Sequence, residues 1–144
     1  MWMKIFGDVT YVIKAFKNER KYVPPDCKHY LTDYSEFMPD KSKDLYDMAI
    51  KLKELGVIDG IGMEFHLSCD YPDIQLYNII VEKFVSTGLE IQFTELDICI
   101  DKDDEEKSQA SKYKVIFSII LKYADNIPLV TLWDTHDSEV GNEI

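Results

Sequence analysis

The sequence predicts an α/β fold with about four parallel strands, and three observations carry that expectation. Apolar residues alternate between a spacing near 3.6 and a spacing of two along the chain. Each strand-like run is separated from the next by a helix-length segment, which demands parallel pairing through right-handed crossovers. Glycines and prolines punctuate the joints between these segments. The 144 residues suffice for one domain with its own core.

The elements follow in order. Residues 9–20 carry Val9, Val12, Ile13 and Phe16 at helical spacing, and Pro24-Pro25 ends that segment. Residues 28–34 read as a short strand. Leu45, Met48, Ala49, Leu52 and Leu55 mark the next helix, with Asp40 as its expected N-cap and Gly56 as its stop. Residues 58–67 read as one strand. Residues 72–87 form a helix carrying Ile74, Tyr77, Val81 and Phe84, stopped by Gly88. A strand is expected over 89–100, then an acidic loop over 101–106 whose carboxylates suit the start of the following helix. That helix runs to about Asp125 with Tyr113, Ile116, Phe117, Ile120 and Ala124, and residues 127–133 form the last strand. Four parallel strands of this kind build either an open doubly wound sheet or half of an eight-stranded barrel.

Strand faces point to the chemistry. In the second strand Gly60, Gly62, Glu64 and His66 share one face, and Ile61, Met63, Phe65 and Leu67 share the other. In the third, alternation groups Leu89, Ile91 and Phe93 with Glu95 and Asp97. Ionisable groups therefore gather at the C-terminal ends of neighbouring strands, where parallel α/β folds place their sites. The first strand ends in Asp33-Tyr34 and the last in Trp133-Asp134. Carboxylates with aromatic faces suit a sugar cleft. Glu64, His66, Glu95 and Asp97 are all metal-ligand types, but a single histidine and no short ligand-pair motif weigh against a metal. No metal or cofactor is expected.

A net charge of −11 argues against nucleic acid and against an anionic membrane surface. Cys27, Cys69 and Cys99 are too few and too odd in number for a disulfide framework, and Cys99 reads as a buried thiol. The first residues lack the apolar run of a secretory signal. The site of action in or outside the cell is left open.

The run Gly88-Leu89-Glu90-Ile91-Gln92-Phe93-Thr94-Glu95-Leu96-Asp97 closely resembles the seventh-strand motif of glycoside hydrolase family 10. That family consists mostly of endo-β-1,4-xylanases on a (β/α) barrel and is mostly secreted. Asp59-Gly60-Ile61-Gly62-Met63 through His66-Leu67 is similar to its sixth strand, and Val130-Thr131-Leu132-Trp133 with Asp137-Ser138 to its eighth. Thr32-Asp33-Tyr34 sits where its fifth strand ends. The resemblance runs from about Trp2 to Ser138. It implies a partial TIM barrel, strands five to eight, with residues 1–144 forming the C-terminal half of the catalytic domain.

The resemblance also implies roles. Glu95 is the nucleophile that forms a glycosyl-enzyme, and His66 and Asp97 support it. Trp133 and Tyr34 line the cleft beside Asp33, and the bound partner is xylan or a xylooligosaccharide. The family's general acid, a Glu after Asn ending the fourth strand, is expected to lie outside this chain. Departures from the family pattern are Glu64 for a usual Gln, Phe65 for a small residue, Thr32 for Asn and Asp134 for Gly. Glu64 then stands as a speculative replacement acid. A half barrel with two open edges is expected to pair as a homodimer closing a barrel-like eight-stranded assembly, or else to aggregate. The alternatives to xylan hydrolysis are an inactive or carbohydrate-binding remnant and a half barrel that works only with a partner half.

Overall fold

A computed structural model describes residue 5, residues 7–100 and residues 106–133. The elements in chain order are α1 (Thr10–Tyr22), β1 (Tyr30–Asp33), α2 (Pro39–Glu54), β2 (Gly60–Met63) and β3 (His66–Ser68). They continue with α3 (Ile74–Val85), β4 (Glu90–Cys99), α4 (Glu106–Lys122) and β5 (Leu129–Leu132). All pairings are parallel: β1 with β2, β2 and β3 with β4, and β4 with β5. Of the acidic loop expected over 101–106, Glu106 instead begins α4, while residues 101–105 and the readings on Trp2, Asp134, Asp137 and Ser138 lie outside the described residues.

The helices form for the reasons the pattern suggests. In α2, Leu45, Ala49 and Leu52 are buried at helical spacing. In α3, Tyr77, Ile80, Val81 and Phe84 are buried in the same way. Asp73 caps α3 by accepting the Leu76 N–H at 2.8 Å. The expected cap at Asp40 is corrected: Met38 is the N-cap, Pro39 begins α2, and Asp40 lies in its first turn. α4 ends at Lys122, earlier than expected, and Phe117 is exposed while Ile116 and Ile120 are buried. Cys69 is the buried cysteine, and Cys99 is only half-buried.

The core lies between these helices and one face of the sheet. Ile61, Met63, Phe65, Leu67, Ile91, Phe93 and Leu96 are all essentially inaccessible. Phe65 packs edge-on against Phe93 at 4.8 Å and against Tyr77 at 5.0 Å. α1 contributes only half-buried Val12, Ile13 and Phe16 to this core. It is tied down by Arg20 Nη2 on Asp59 Oδ2 at 2.6 Å.

Two departures from simple strands shape the other face. The run 58–67 is two strands, not one. It breaks at Glu64-Phe65, where Phe65 has φ +49°. The second departure is in β4. Three steps from Met63 to His66 span four on β4, from Phe93 to Asp97. Two steps from Val130 to Leu132 span three, from Phe93 to Leu96. Against both neighbours β4 carries one extra residue, a β-bulge. An added residue reverses the alternation beyond it.

The grouping of Phe93 with Glu95 and Asp97 on one face is therefore corrected. Phe93 faces the helices with Phe65 and Tyr77. Glu95 and Asp97, past the bulge, meet His66 on the other side.

Both glycines of β2, on the sheet's inner face, are sterically required, Gly62 among them. A Cβ on Gly62 would lie 2.4 Å from Thr32 Oγ1 and 3.1 Å from Thr94 Cγ2. The inner space that glycine leaves is already filled by its neighbours. Gly62→Ala is expected to destabilise the fold by about 1–3 kcal/mol through overpacking. Adding Thr32→Ala recovers most of that loss, as read by denaturant midpoints in a double-mutant cycle.

Candidate functional site

The site assembles at the C-terminal ends of β2, β3 and β4. His66, first residue of β3, pairs in register with Asp97. Its Nδ1 lies 3.0 Å from Asp97 Oδ1, and its Nε2 lies 3.2 Å from Glu95 Oε2. Glu64 Oε2 is 3.7 Å from the same Nε2. The β4 bulge and the β2–β3 break together bring three carboxyls around one imidazole. Ionised carboxylates only accept hydrogen bonds. An ionised Asp97 accepts a hydrogen bond from Nδ1–H, a contact that fixes how the ring stands.

Glu64, His66 and Glu95 are all partly accessible, at about a quarter of their side-chain surface. Their donor atoms lie within 4.8 Å of one another, so they are the one group among the described residues that offers a metal three protein ligands. His66 hydrogen-bonds Glu95 at 3.2 Å, whereas Glu64 stands 3.7 Å from the same nitrogen without a hydrogen bond. Burial holds the Glu64 carboxyl above its ordinary range, the Glu95 carboxylate adds to the effect, and His66 opposes it.

The rim residues divide. Trp133 stands edge-on to the His66 ring with centroids 6.0 Å apart, and it remains exposed. It therefore joins the cluster. Tyr34 is exposed near the end of β1. Asp33 is engaged by Lys41 Nζ at 2.6 Å, and that ammonium sits 4.3 Å from the Tyr34 ring centroid. Lys41 was not among the residues singled out from sequence.

Glu36 was also missed. It is fully inaccessible, and its Oε1 accepts the Glu64 N–H at 2.8 Å. Burial pushes its carboxyl up to about 7, and the carboxylates of Glu64 and Asp33 contribute in the same direction. Tyr77 and Lys41 also feel its charge. No sequence signal distinguishes it from an exposed loop acid; only the polar residue's place just after a strand end hints at a role.

A family model described as Glycosyl hydrolase family 10 matches residues 1–141. The chain belongs to glycosyl hydrolase family 10. The bifunctional endo-1,4-beta-xylanase of Ruminococcus flavefaciens is 50% identical over 137 residues, covering 95% of this chain and 14% of that relative. Among solved structures, an intracellular xylanase of Thermoanaerobacterium saccharolyticum aligns with TM-score 0.87 at 33% identity, over 99% of this chain and 45% of the other. A Clostridium thermocellum endo-1,4-beta-D-xylanase crystallised with xylohexaose aligns with TM-score 0.86 at 31% identity, over 96% and 29%. The chain thus spans less than half the length of these relatives. Its five parallel strands are a portion of the family's barrel, as the motifs implied.

The Glu36 carboxyl has a consequence for stability. Its value is raised in the folded state, from 4.5 to about 7, so the native protein holds an extra proton between those limits. The stability this carboxyl contributes is then fully present below the lower limit and is lost as pH climbs toward the upper one, by roughly 3 kcal/mol at most. Glu36→Gln, which cannot titrate, is expected to flatten this decline in urea unfolding between pH 4.5 and 7.5.

Proposed function

We propose that the site belongs to a retaining glycosidase that cleaves internal β-1,4-xylosidic bonds, with Glu95 as nucleophile. The observation that supports this reading is the Glu95 carboxylate 3.2 Å from an imidazole that Asp97 orients, at the rim of a parallel sheet. Glu95 attacks the anomeric carbon of the bound sugar, and the glycosyl-enzyme so formed is then hydrolysed. His66 holds that carboxylate in place. Trp133 and Tyr34 offer aromatic faces beside the cleft, with Asp33 at the same rim, and xylan or a xylooligosaccharide is the bound partner.

The reaction needs a second carboxyl about 5–5.5 Å from the nucleophile to protonate the leaving oxygen. In the complete barrel that group comes from strands beyond this chain. Among the described residues Glu64 is the proposed substitute: its oxygen and that of Glu95 lie within 4.8 Å. Its raised carboxyl value is the direction an acid requires.

A 2-fluoro xylobioside with a dinitrophenyl leaving group needs little protonation, and it is expected to leave a sugar adduct on Glu95 detectable by mass spectrometry. An adduct elsewhere, or none, sinks the nucleophile assignment. If Glu64 serves as acid, Glu64→Gln lowers turnover of a poor-leaving-group aryl xylobioside by about 10² or more. Equal rates remove it from the mechanism.

We further propose that the open sheet closes by association. Among the described residues β1 pairs only with β2, and β5 only with β4, so each leaves one edge of backbone groups unpaired. Leu129 and Leu132 stand exposed on β5 itself. This chain by itself is expected to run as a homodimer in light scattering, with a monodisperse monomer as the contrary result.

A further inference from the structure

Two non-glycine residues among those described have left-handed backbone, Ser35 at φ +57° and Phe65 at φ +49°. Such conformations are unfavourable and persist where surrounding contacts impose them. One hydrogen bond joins the two sites. Glu36, next to Ser35, accepts from the N–H of Glu64, next to Phe65, at 2.8 Å.

The same N–H lies 3.3 Å from the Asp33 carbonyl, so the strand ladder offers it a longer, weaker partner. Glu36 is fully buried, and its Oε2 has no hydrogen-bond partner. Burying a carboxyl oxygen without a partner is unfavourable. An aliphatic side chain would fill the space without that cost. What the carboxyl alone supplies is an acceptor under the break between β2 and β3.

That break is where the cleft is made. It carries Glu64 and delivers His66 one residue later, and the Phe65 carbonyl accepts from the Asp97 N–H at 3.4 Å on the neighbouring strand. We propose that Glu36 is a positioning residue: its carboxyl holds the Glu64 N–H, fixes the break, and so sets how Glu64 and His66 enter the cleft. The functional meaning rests on the glycosidase reading of that cleft, but the geometry does not.

The groups facing Glu36 are Asp33 from β1, Lys41 from α2, Glu64 beyond β2 and Tyr77 from α3. None of the four side chains donates to Oε2. Their charges cannot stand in for the acceptor, because the Glu64 N–H needs an oxygen at hydrogen-bond distance.

The test compares wild type, Glu36→Gln and Glu36→Leu in this chain by NMR, following the Glu64 amide proton and the Glu64 side-chain carboxyl carbon. Glu36→Gln keeps an oxygen in place and is expected to retain the low-field amide shift and the Glu64 titration midpoint. Glu36→Leu removes it; the amide moves upfield and the midpoint falls as the Glu64 carboxyl swings toward water and away from Glu95. If Glu36→Leu leaves both signals at their wild-type positions, Glu36 is only core filling and the proposal is overturned. It is equally overturned if Glu36→Gln displaces both signals as far as Glu36→Leu does. Should Glu36→Leu fail to fold, Glu36→Asp withdraws the carboxyl by one methylene. It is expected to move both signals in the same directions, and unchanged signals overturn the proposal. No readout requires turnover, so loss of the glycosidase reading and loss of this one are separately visible.

Discussion

The cleft depends on one added residue in β4. A strand that alternated without interruption would send Glu95 toward the helices with Phe93, into a space already filled by Phe65 and Tyr77. A carboxylate buried there without a partner would cost several kcal/mol. The bulge separates the two demands placed on one strand. Ile91 and Phe93 before it and Leu96 and Ile98 after it all go to the core, while Glu95 and Asp97 are turned to His66. His66 then bridges the result, because β3 pairs with β4 beyond the bulge and puts the imidazole between Asp97 and Glu95.

The complementary device is the break between β2 and β3. Ile61, Met63, Phe65 and Leu67 all stay inaccessible across it, while Glu64 and His66 stay half-open on the other side. A plain strand would keep the same faces, so what the break changes is direction. It bends the chain over the cleft, and Phe65 is held in its left-handed conformation by rings on two sides and by pairing to β4.

Much of this was legible in the residues. Period alone placed Leu45, Ala49 and Leu52, and Tyr77, Val81 and Phe84, on buried helix faces, and it put the glycines of β2 opposite its apolar residues. The family motifs named Glu95, His66, Asp97, Trp133 and Tyr34; the fold brings the first four together, while Tyr34 stands beside Lys41. Asp97 and Glu95 reached the right neighbours through an argument with the wrong phase. Alternation had tied them to Phe93, and an insertion of one residue leaves no mark in composition. Glu36 was not legible for a different reason. Its burial depends on Ser35 turning the chain inward, and a serine followed by glutamate after a strand ordinarily means solvent. Lys41 likewise matters only because α2 starts so close to the end of β1.

The inner face also has a floor. The Tyr30 ring lies where a side chain on residue 60 would stand, and Thr32 and Thr94 close over residue 62. Tyr30 is fastened there by its hydroxyl on Glu90 at 2.6 Å. Among the described residues these groups fill the inner face below Glu64, His66 and Glu95, so those side chains are reached from the rim, at the C-terminal ends of the strands.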